Sequence, residues 1–339
     1  MHTKFLAWCT ERGISTPLTL LGSPQDPSYR YLAAPADSAL APGSTIVRAP
    51  LDACLIDDSL EGLAERVARE KSLGTTSEYA PYLDILPELD SPSVKAMPRF
   101  WAAERLGSVT DGGQLEARMR EDERPRVDPW GLAIVNSRSN VLPGNLFSVT
   151  PLLDMLNHKP SVGTSGRVTD NGELQLTVDE PFLAGEEVFI SYDQLANLDT
   201  LVNYGFVCED NPFNVESIVV RMINQSPIPL AVEADGSISG ATLAPLREVL
   251  ATAEEFDRVR KDGEEDSSLL AFAVPVSDRN EEEVMAVIGA AVDDALYEAK
   301  GGAESAKDDL LVASYLKERA RTMELGLSSI AKKFPELGY

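Results

Sequence analysis

Histidine and cysteine are scarce in this chain: 339 residues carry two of the first and three of the second. Cys9, Cys54 and Cys208 lie far apart and form no C-x-x-C pair. A structural zinc site draws on four clustered ligands, and an odd cysteine count argues against a disulfide framework. No metal is therefore expected, and the thiols read as reduced and mostly buried. Long apolar runs are missing too. The stretch Leu269–Val276 is among the longest and contains Pro275, well short of the ~18 residues a helical membrane span requires. The opening residues Met1-His2-Thr3-Lys4-Phe5 lack the apolar core of a secretory signal. These absences lead to the expectation of a cytoplasmic protein without a membrane partner, nucleus and organelles being left open. Basic residues are outnumbered, with 30 Lys and Arg against 55 Asp and Glu, for a formal charge of -25. Such a surface repels phosphate backbones, so nucleic acid is not an expected partner. It attracts a basic protein segment instead. A monomer is the simplest expectation.

What is present reads as α+β. Phe5, Leu6, Trp8 and Cys9 recur at helical spacing over residues 4–12. Pro42-Gly43 turns into a strand at Thr45-Ile46-Val47 that closes at Pro50. From Ser59 the pattern is helical: Leu60, Leu63, Ala64, Val67 and Ala68 share one face, and Gly74 stops the run. Asn171-Gly172 is a hairpin signal because both residues tolerate positive φ. The period-2 run Leu174 to Val178 follows it, and Glu187 to Ser191 reads as another strand. After a last strand at Ser217–Met222 the pattern is helical over Leu243–Ala251, Glu281–Leu296 and Leu310–Phe334. The acidic stretch Lys261 to Asp266 reads as a solvated loop. The expected domains are 1–214, with a helical insert at about 58–125, and a helical domain at 215–339.

Familiar catalytic arrangements fail on simple grounds. A Ser-His-Asp hydrolase needs a general-base histidine, and only His158 lies in the interior of the sequence, with no G-x-S-x-G elbow. There is no G-x-x-x-x-G-K-[ST] phosphate loop and no strand-linked G-x-G-x-x-G. Acidic pairs are too plentiful to single out two.

Four segments stand out in order. They are Ser77-Glu78-Tyr79-Ala80-Pro81-Tyr82-Leu83 with Leu86-Pro87, and Trp130-Gly131 with Ser137-Arg138. Then come Pro151 to His158, which reads P-L-L-D-M-L-N-H, and Gly185 to Tyr192, G-E-E-V-F-I-S-Y, followed by Asn203-Tyr204-Gly205-Phe206. Together they resemble the signature stretches of SET-domain protein methyltransferases, in the branch of the RuBisCO large-subunit methyltransferase. The resemblance covers roughly residues 4–215. It implies a SET domain, a knot-like set of short β-sheets with a helical insert, followed by a mostly helical C-terminal domain that recruits substrate. The implied activity is methyl transfer from S-adenosylmethionine to a lysine of a protein substrate.

The resemblance also distributes roles. Tyr192 matches the tyrosine beside the transferred methyl group, and Tyr204 a second one lining the lysine channel. Asn157 and His158 match positions that hold the cofactor, and Asp154 one near it. Arg138 matches a cofactor-contacting arginine, whose planar fork suits a carboxylate. The chain departs from the branch where a Gly-x-Gly turn carries the cofactor. That turn falls at Tyr31-Leu32-Ala33, with Leu32 as the cofactor-contacting position and neither glycine present. Since glycine lets a backbone approach a ligand closely, an inactive SET-fold binding module is one alternative. A protein-histidine methyltransferase is another. The relative in this branch that acts on a histidine of actin lacks the second tyrosine, so Tyr204 favours lysine.

Overall fold

The computed structural model describes residues 2–22, 29–124, 126–223, 225–261 and 271–339. Most of the expected acidic loop after Lys261 and the first residues of the Leu269–Val276 run lie outside the described residues. The chain divides into two compact units. The first comprises residues 1–101, 122–194 and 199–206, and the second 102–121, 195–198 and 207–339.

The first unit begins with helix α1 (His2–Glu11), which buries Phe5, Trp8 and Cys9. The strands β1 (Thr19–Gly22) and β2 (Arg30–Ala33) pair antiparallel, so the stretch expected to form a turn at Tyr31-Leu32-Ala33 is extended strand. Strand β3 (Thr45–Pro50) leads to β4 (Leu55–Asp57). Helix α2 (Leu60–Ser72) then starts at Ser59, whose side chain accepts the Gly62 N–H at 3.1 Å, a cap worth about 1 kcal/mol. Two short helices follow, α3 (Ala80–Leu83) and α4 (Pro92–Lys95). Helices α5 (Ala103–Gly107) and α6 (Gln114–Glu121) fall in the second unit. Asp128 caps α7 (Pro129–Arg138). Helix α7 lies close against α2, for a side chain on Gly131 would meet the Ala64 carbonyl at 2.2 Å. The glycine of the Trp130-Gly131 motif is thus a packing requirement.

Strands β5 (Ser139–Leu142) and β6 (Leu146–Val149) form a sheet with β4, in the order β4-β6-β5. The two-residue β7 (Asn157–His158) is followed by β8 (Thr164–Val168) and β9 (Glu173–Val178). The β8–β9 hairpin turns at Gly172, at φ +71°, and β3 adds to β9. Glu187 to Ser191 yields only the two-residue β10 (Phe189–Ile190), which runs parallel to β7. Several small sheets therefore share one apolar core that holds Phe5, Ile46, Tyr82, Ile134, Val149 and Leu156.

Helix α8 (Asn197–Tyr204) ends at Gly205, which has φ +76°. Beyond it the second unit holds β11 (Val215–Val220) and β12 (Ile228–Glu233), an antiparallel pair. The sequence pattern read β11 as the last strand; β12 is a further one. Its alternation is masked by Pro229, which faces Val219 in the pair. Helices α9 (Gly240–Leu250), α10 (Ala253–Lys261), α11 (Asp278–Ser305) and α12 (Leu310–Lys333) complete the unit. Its core is built on Leu230, Val232, Ile288, Val292 and Met323. The expected division at 214/215 thus differs from the observed grouping. The chain passes into the second unit for the last time at Val207, and residues 102–121, which fall inside the expected insert, belong to it as do 195–198. Asp111 and Arg105 account for this: Asp111 accepts from Tyr315 at 3.1 Å, and Arg105 pairs with Asp309.

Candidate active site

Residues 151–158 are shaped by a backbone reversal. Leu152 is buried yet has φ +69°, a left-handed conformation that costs a non-glycine residue about 1–3 kcal/mol. It turns the chain into a short 3-10 helix, Leu153–Met155, so that Asp154 points inward. The Asp154 side chain is fully buried. Tyr82 donates to its Oδ2 at 2.8 Å, and Arg138 Nη1 reaches its carbonyl at 2.8 Å and Oδ2 at 3.2 Å. The stretch from Ser77 to Leu86 therefore has a task here: Tyr82, fixed among Phe5 and Trp8, holds the carboxylate. Burial raises the Asp154 carboxyl above its usual range, and Arg138 opposes that rise.

Beyond Asp154, β7 pairs with β10 in the register Asn157 to Phe189 and His158 to Ile190. Two sequence motifs become neighbours this way. Asn157 Nδ2 donates to Glu187 Oε1 at 2.7 Å and to the Tyr29 hydroxyl at 2.8 Å, while Tyr29 itself donates to Glu187 at 3.2 Å. His158 Nδ1 accepts the Tyr192 N–H at 3.0 Å. Its Nε2 is buried with no hydrogen-bond partner, and burial lowers its pKa from the ordinary 6.5.

Tyr192 donates its hydroxyl proton to the Leu156 carbonyl at 2.7 Å. Its ring lies 4.9 Å from that of Tyr204 and 5.0 Å from that of His158, centre to centre, and Phe206 stands 5.7 Å from Tyr204. Burial pushes the Tyr192 phenol well above its usual value and that of Tyr204 up to about 12. Both therefore stay protonated and uncharged near neutral pH. Gly205 closes this wall, since a side chain there would meet Ala96 at 2.7 Å.

A cleft of about 360 Å³ runs between these groups. Arg30, Arg138, Asp154 and Asn157 line it with charged and polar groups, and Tyr192, Tyr204 and Phe206 with aromatic rings. Two larger cavities, about 610 and 620 Å³, lie in the second unit. Neither contains any of the motif residues. Of the residues expected from the sequence, Tyr192, Tyr204, Arg138, Asp154 and Asn157 thus meet at one cleft, with His158 behind the Tyr192 ring. Leu32 does not reach the cleft. Its side chain is wholly buried in the apolar core, and its carbonyl accepts the Val188 N–H at 2.8 Å. Tyr29 and Arg30, two and three residues earlier, line the cleft instead. Sequence reasoning missed these two and the role of Glu187. The second glutamate of the G-E-E run was a visible signal for Glu187; nothing in the pattern marked Tyr29 or Arg30. No cluster of three metal-binding side chains occurs among the described residues.

Comparisons with known proteins bear on the fold. No family model matches the chain. An actin-histidine N-methyltransferase of Drosophila melanogaster is 33% identical over 103 residues, 27% of this chain and 19% of that protein. The chloroplastic [fructose-bisphosphate aldolase]-lysine N-methyltransferase of Arabidopsis thaliana is 27% identical over 172 residues, 40% of this chain and 34% of its own length. The N-lysine methyltransferase setd6 of Xenopus laevis is 24% identical over 287 residues, 65% of this chain and 60% of its length. The chain thus spans between a fifth and three fifths of the length of these relatives. Among solved structures, the SET domain of LSMT bound to lysine and AdoHcy superposes with a TM-score of 0.72, and Rubisco LSMT bound to AdoMet with 0.73. Each covers 99% of this chain and 92% of the other, at 18% identity. With its small sheets around one core and the helical region that follows, the chain has the SET-domain fold seen in LSMT.

Proposed function

We propose that the chain is a protein-lysine N-methyltransferase that takes its methyl group from S-adenosylmethionine. The observation that carries this reading is the meeting of Tyr192 and Tyr204 with Arg138, Asp154 and Asn157 at one cleft. The structural neighbours, one bound to lysine and AdoHcy and another to AdoMet, support it.

The residues fit such a cofactor. The cleft is of a size used for small molecules, which ranges over roughly 300–1,000 Å³. Arg138 Nε and Asp154 Oδ1 are buried there without hydrogen-bond partners, a costly arrangement unless a ligand satisfies them. When bound, the cofactor supplies an electrophilic methyl group on a sulfonium centre. The chain's own residues then have to align and to exclude water. Arg138 presents a guanidinium held at Nη1 by Asp154. Asn157, locked by Glu187 and Tyr29, fixes the strand next to the cleft.

Tyr192 points its hydroxyl proton at the Leu156 carbonyl, so its oxygen remains an acceptor for an incoming amine. Neither phenol serves as a base near neutral pH, because both pKa values are raised by burial. The lysine therefore has to lose its proton on entry, which desolvation favours by lowering the amine pKa. The wall made by Tyr192, Tyr204 and Phe206 supplies that dry passage. We further propose that the target lysine lies in a basic segment, in keeping with the -25 formal charge.

Histidine methylation is the second reading, favoured by the similarity to the Drosophila melanogaster protein. One experiment separates the two. A lysate incubated with the chain and isotope-labelled cofactor is read by mass spectrometry. Label on lysine within a basic segment is the expected result. Label on histidine would replace lysine as the target, and no label together with tight cofactor binding would leave a binding module.

A further inference from the structure

Arg30 occupies the part of the cleft where the sequence lacks its expected glycine-flanked turn. Its guanidinium is held at two corners by neutral acceptors: Nη1 donates to the Ile85 carbonyl and Nε to His2 Nε2 at 3.3 Å. No carboxylate among the described residues forms an ion pair with it, and its Nη2 is neither bonded nor sealed from solvent. A half-buried cation normally has a counter-charge, because desolvating an unpaired charge is costly. Here its neighbour in the cleft is another cation, Arg138, whose Nη1 is engaged by Asp154 while its Nε is buried without a partner. The two guanidiniums repel each other, and burial together with that repulsion lowers the Arg30 pKa. Asp154 acts on both cations, and the charged side chains lining the cleft are these two cations and this one carboxylate, so the lining is short of one negative charge.

We propose that Arg30 is the second arm of a two-guanidinium clamp, with Arg138, for the carboxylate at the amino-acid end of the cofactor. A single carboxylate supplies the missing charge, and its two oxygens suit planar donors approaching from two sides. The clamp also accounts for the loss of the glycines. Where a glycine turn lets backbone reach the ligand, this chain reaches it with a long side chain whose orientation Ile85 and His2 set in advance. In a chain of -25 formal charge, such a local cation pair keeps an anionic group attracted to the cleft.

This inference rests on the cofactor reading above, and the test separates the two. Isothermal calorimetry measures AdoHcy and 5′-methylthioadenosine, which lacks the amino-acid end, on the parent chain, Arg30→Met and Arg30→Lys. The expected result is that Arg30→Met weakens AdoHcy about 10- to 100-fold, the size of a lost charge-assisted hydrogen bond. Its affinity for methylthioadenosine should stay within twofold of the parent. Arg30→Lys should recover part of the AdoHcy affinity, since it keeps the charge and loses the fork. An equal loss for both ligands would make Arg30 a structural residue and overturn the clamp, as would no loss for either. An unchanged AdoHcy affinity with a raised KM for the protein substrate would assign the charge to substrate instead and overturn it too. If Arg30→Met does not fold by circular dichroism, Arg30→Lys decides: a selective AdoHcy loss supports the clamp and parental affinity overturns it. A parent that binds neither ligand would sink the cofactor reading itself.

Discussion

Buried and half-buried guanidiniums are partnered differently in the two units. In the second, Arg319 is 2% exposed and meets Glu216 at 2.6 Å, and Arg247 is 3% exposed and meets Glu281 at 2.7 Å. Each cation there has its own carboxylate, and neighbouring carbonyls take further donors, Ser217 for Arg319 and Ala273 for Arg247. In the first unit, Arg30 has no carboxylate partner, and Arg138 has only Asp154, which Tyr82 also engages. The lesson concerns counter-charge. A buried cation with a carboxylate of its own, even one like Arg319 whose Nε stays unpartnered, is neutralised within the chain, whereas Arg30 at the cleft has no such counter-charge. Burial alone does not distinguish the two; the account of partners does.

The largest effect should come from breaking a complete pair. Arg319→Met leaves Glu216 buried and unpaired, and removing one partner of such a pair costs about 3–5 kcal/mol. Urea unfolding should show that loss, while Arg30→Met, which strands no carboxylate, should unfold close to the parent. Equal destabilisation of the two would erase the contrast between the units.

Next in size is Tyr192→Phe, which removes one hydroxyl and no bulk. Single-turnover methyl transfer should slow by about 100-fold or more, the scale seen when one positioned polar group is lost from an active site, with AdoHcy affinity unchanged. A parental rate would take Tyr192 out of the chemistry. Asn157→Ala should act on binding rather than turnover, weakening AdoHcy by roughly 1–3 kcal/mol, since Tyr29 and Glu187 lose their common donor. Parental affinity in calorimetry would leave Asn157 a structural residue.

The smallest effect is a pH dependence. The His158 pKa lies below 6.5 in the folded chain because burial disfavours the charged ring. The unfolded chain then binds the extra proton first, so this contribution is complete above about 6.5 and is lost as pH falls below it. The stability of the parent relative to His158→Gln should decline with acidification below that value and stay flat above it. A difference that grows on acidification would show the ring charged in the fold.

Much of this was readable from residues. The Asn171-Gly172 turn, the helix starting at Ser59, and the two motifs that meet at the cleft all rest on local chemistry, which a sequence displays directly. What was hidden depends on partners far along the chain. Pro229 disguised β12 because a proline inside a strand breaks the donor pattern that alternation suggests. Leu32 was assigned to the cofactor by alignment, yet its side chain lies in the core, and Arg30, at the start of β2, lines the cleft. Residues 102–121 read as part of the insert, because nothing local reveals that Asp111 is to meet Tyr315.

The parallel pairing of Asn157-His158 with Phe189-Ile190 also fixes when the cleft can come into being. A chain growing from its N-terminus displays Asn157 before Glu187, Phe189 or Tyr192 has been made. At ~5–20 residues per second, the first motif waits some seconds for its neighbour, before Tyr192, Tyr204 and Phe206 exist to line the cleft. Parallel strands cannot be joined by a tight turn, so no local event closes this gap. The cleft is therefore assembled late, and a chain cut off before residue 190 lacks Tyr192, Tyr204 and Phe206, and with them the aromatic lining.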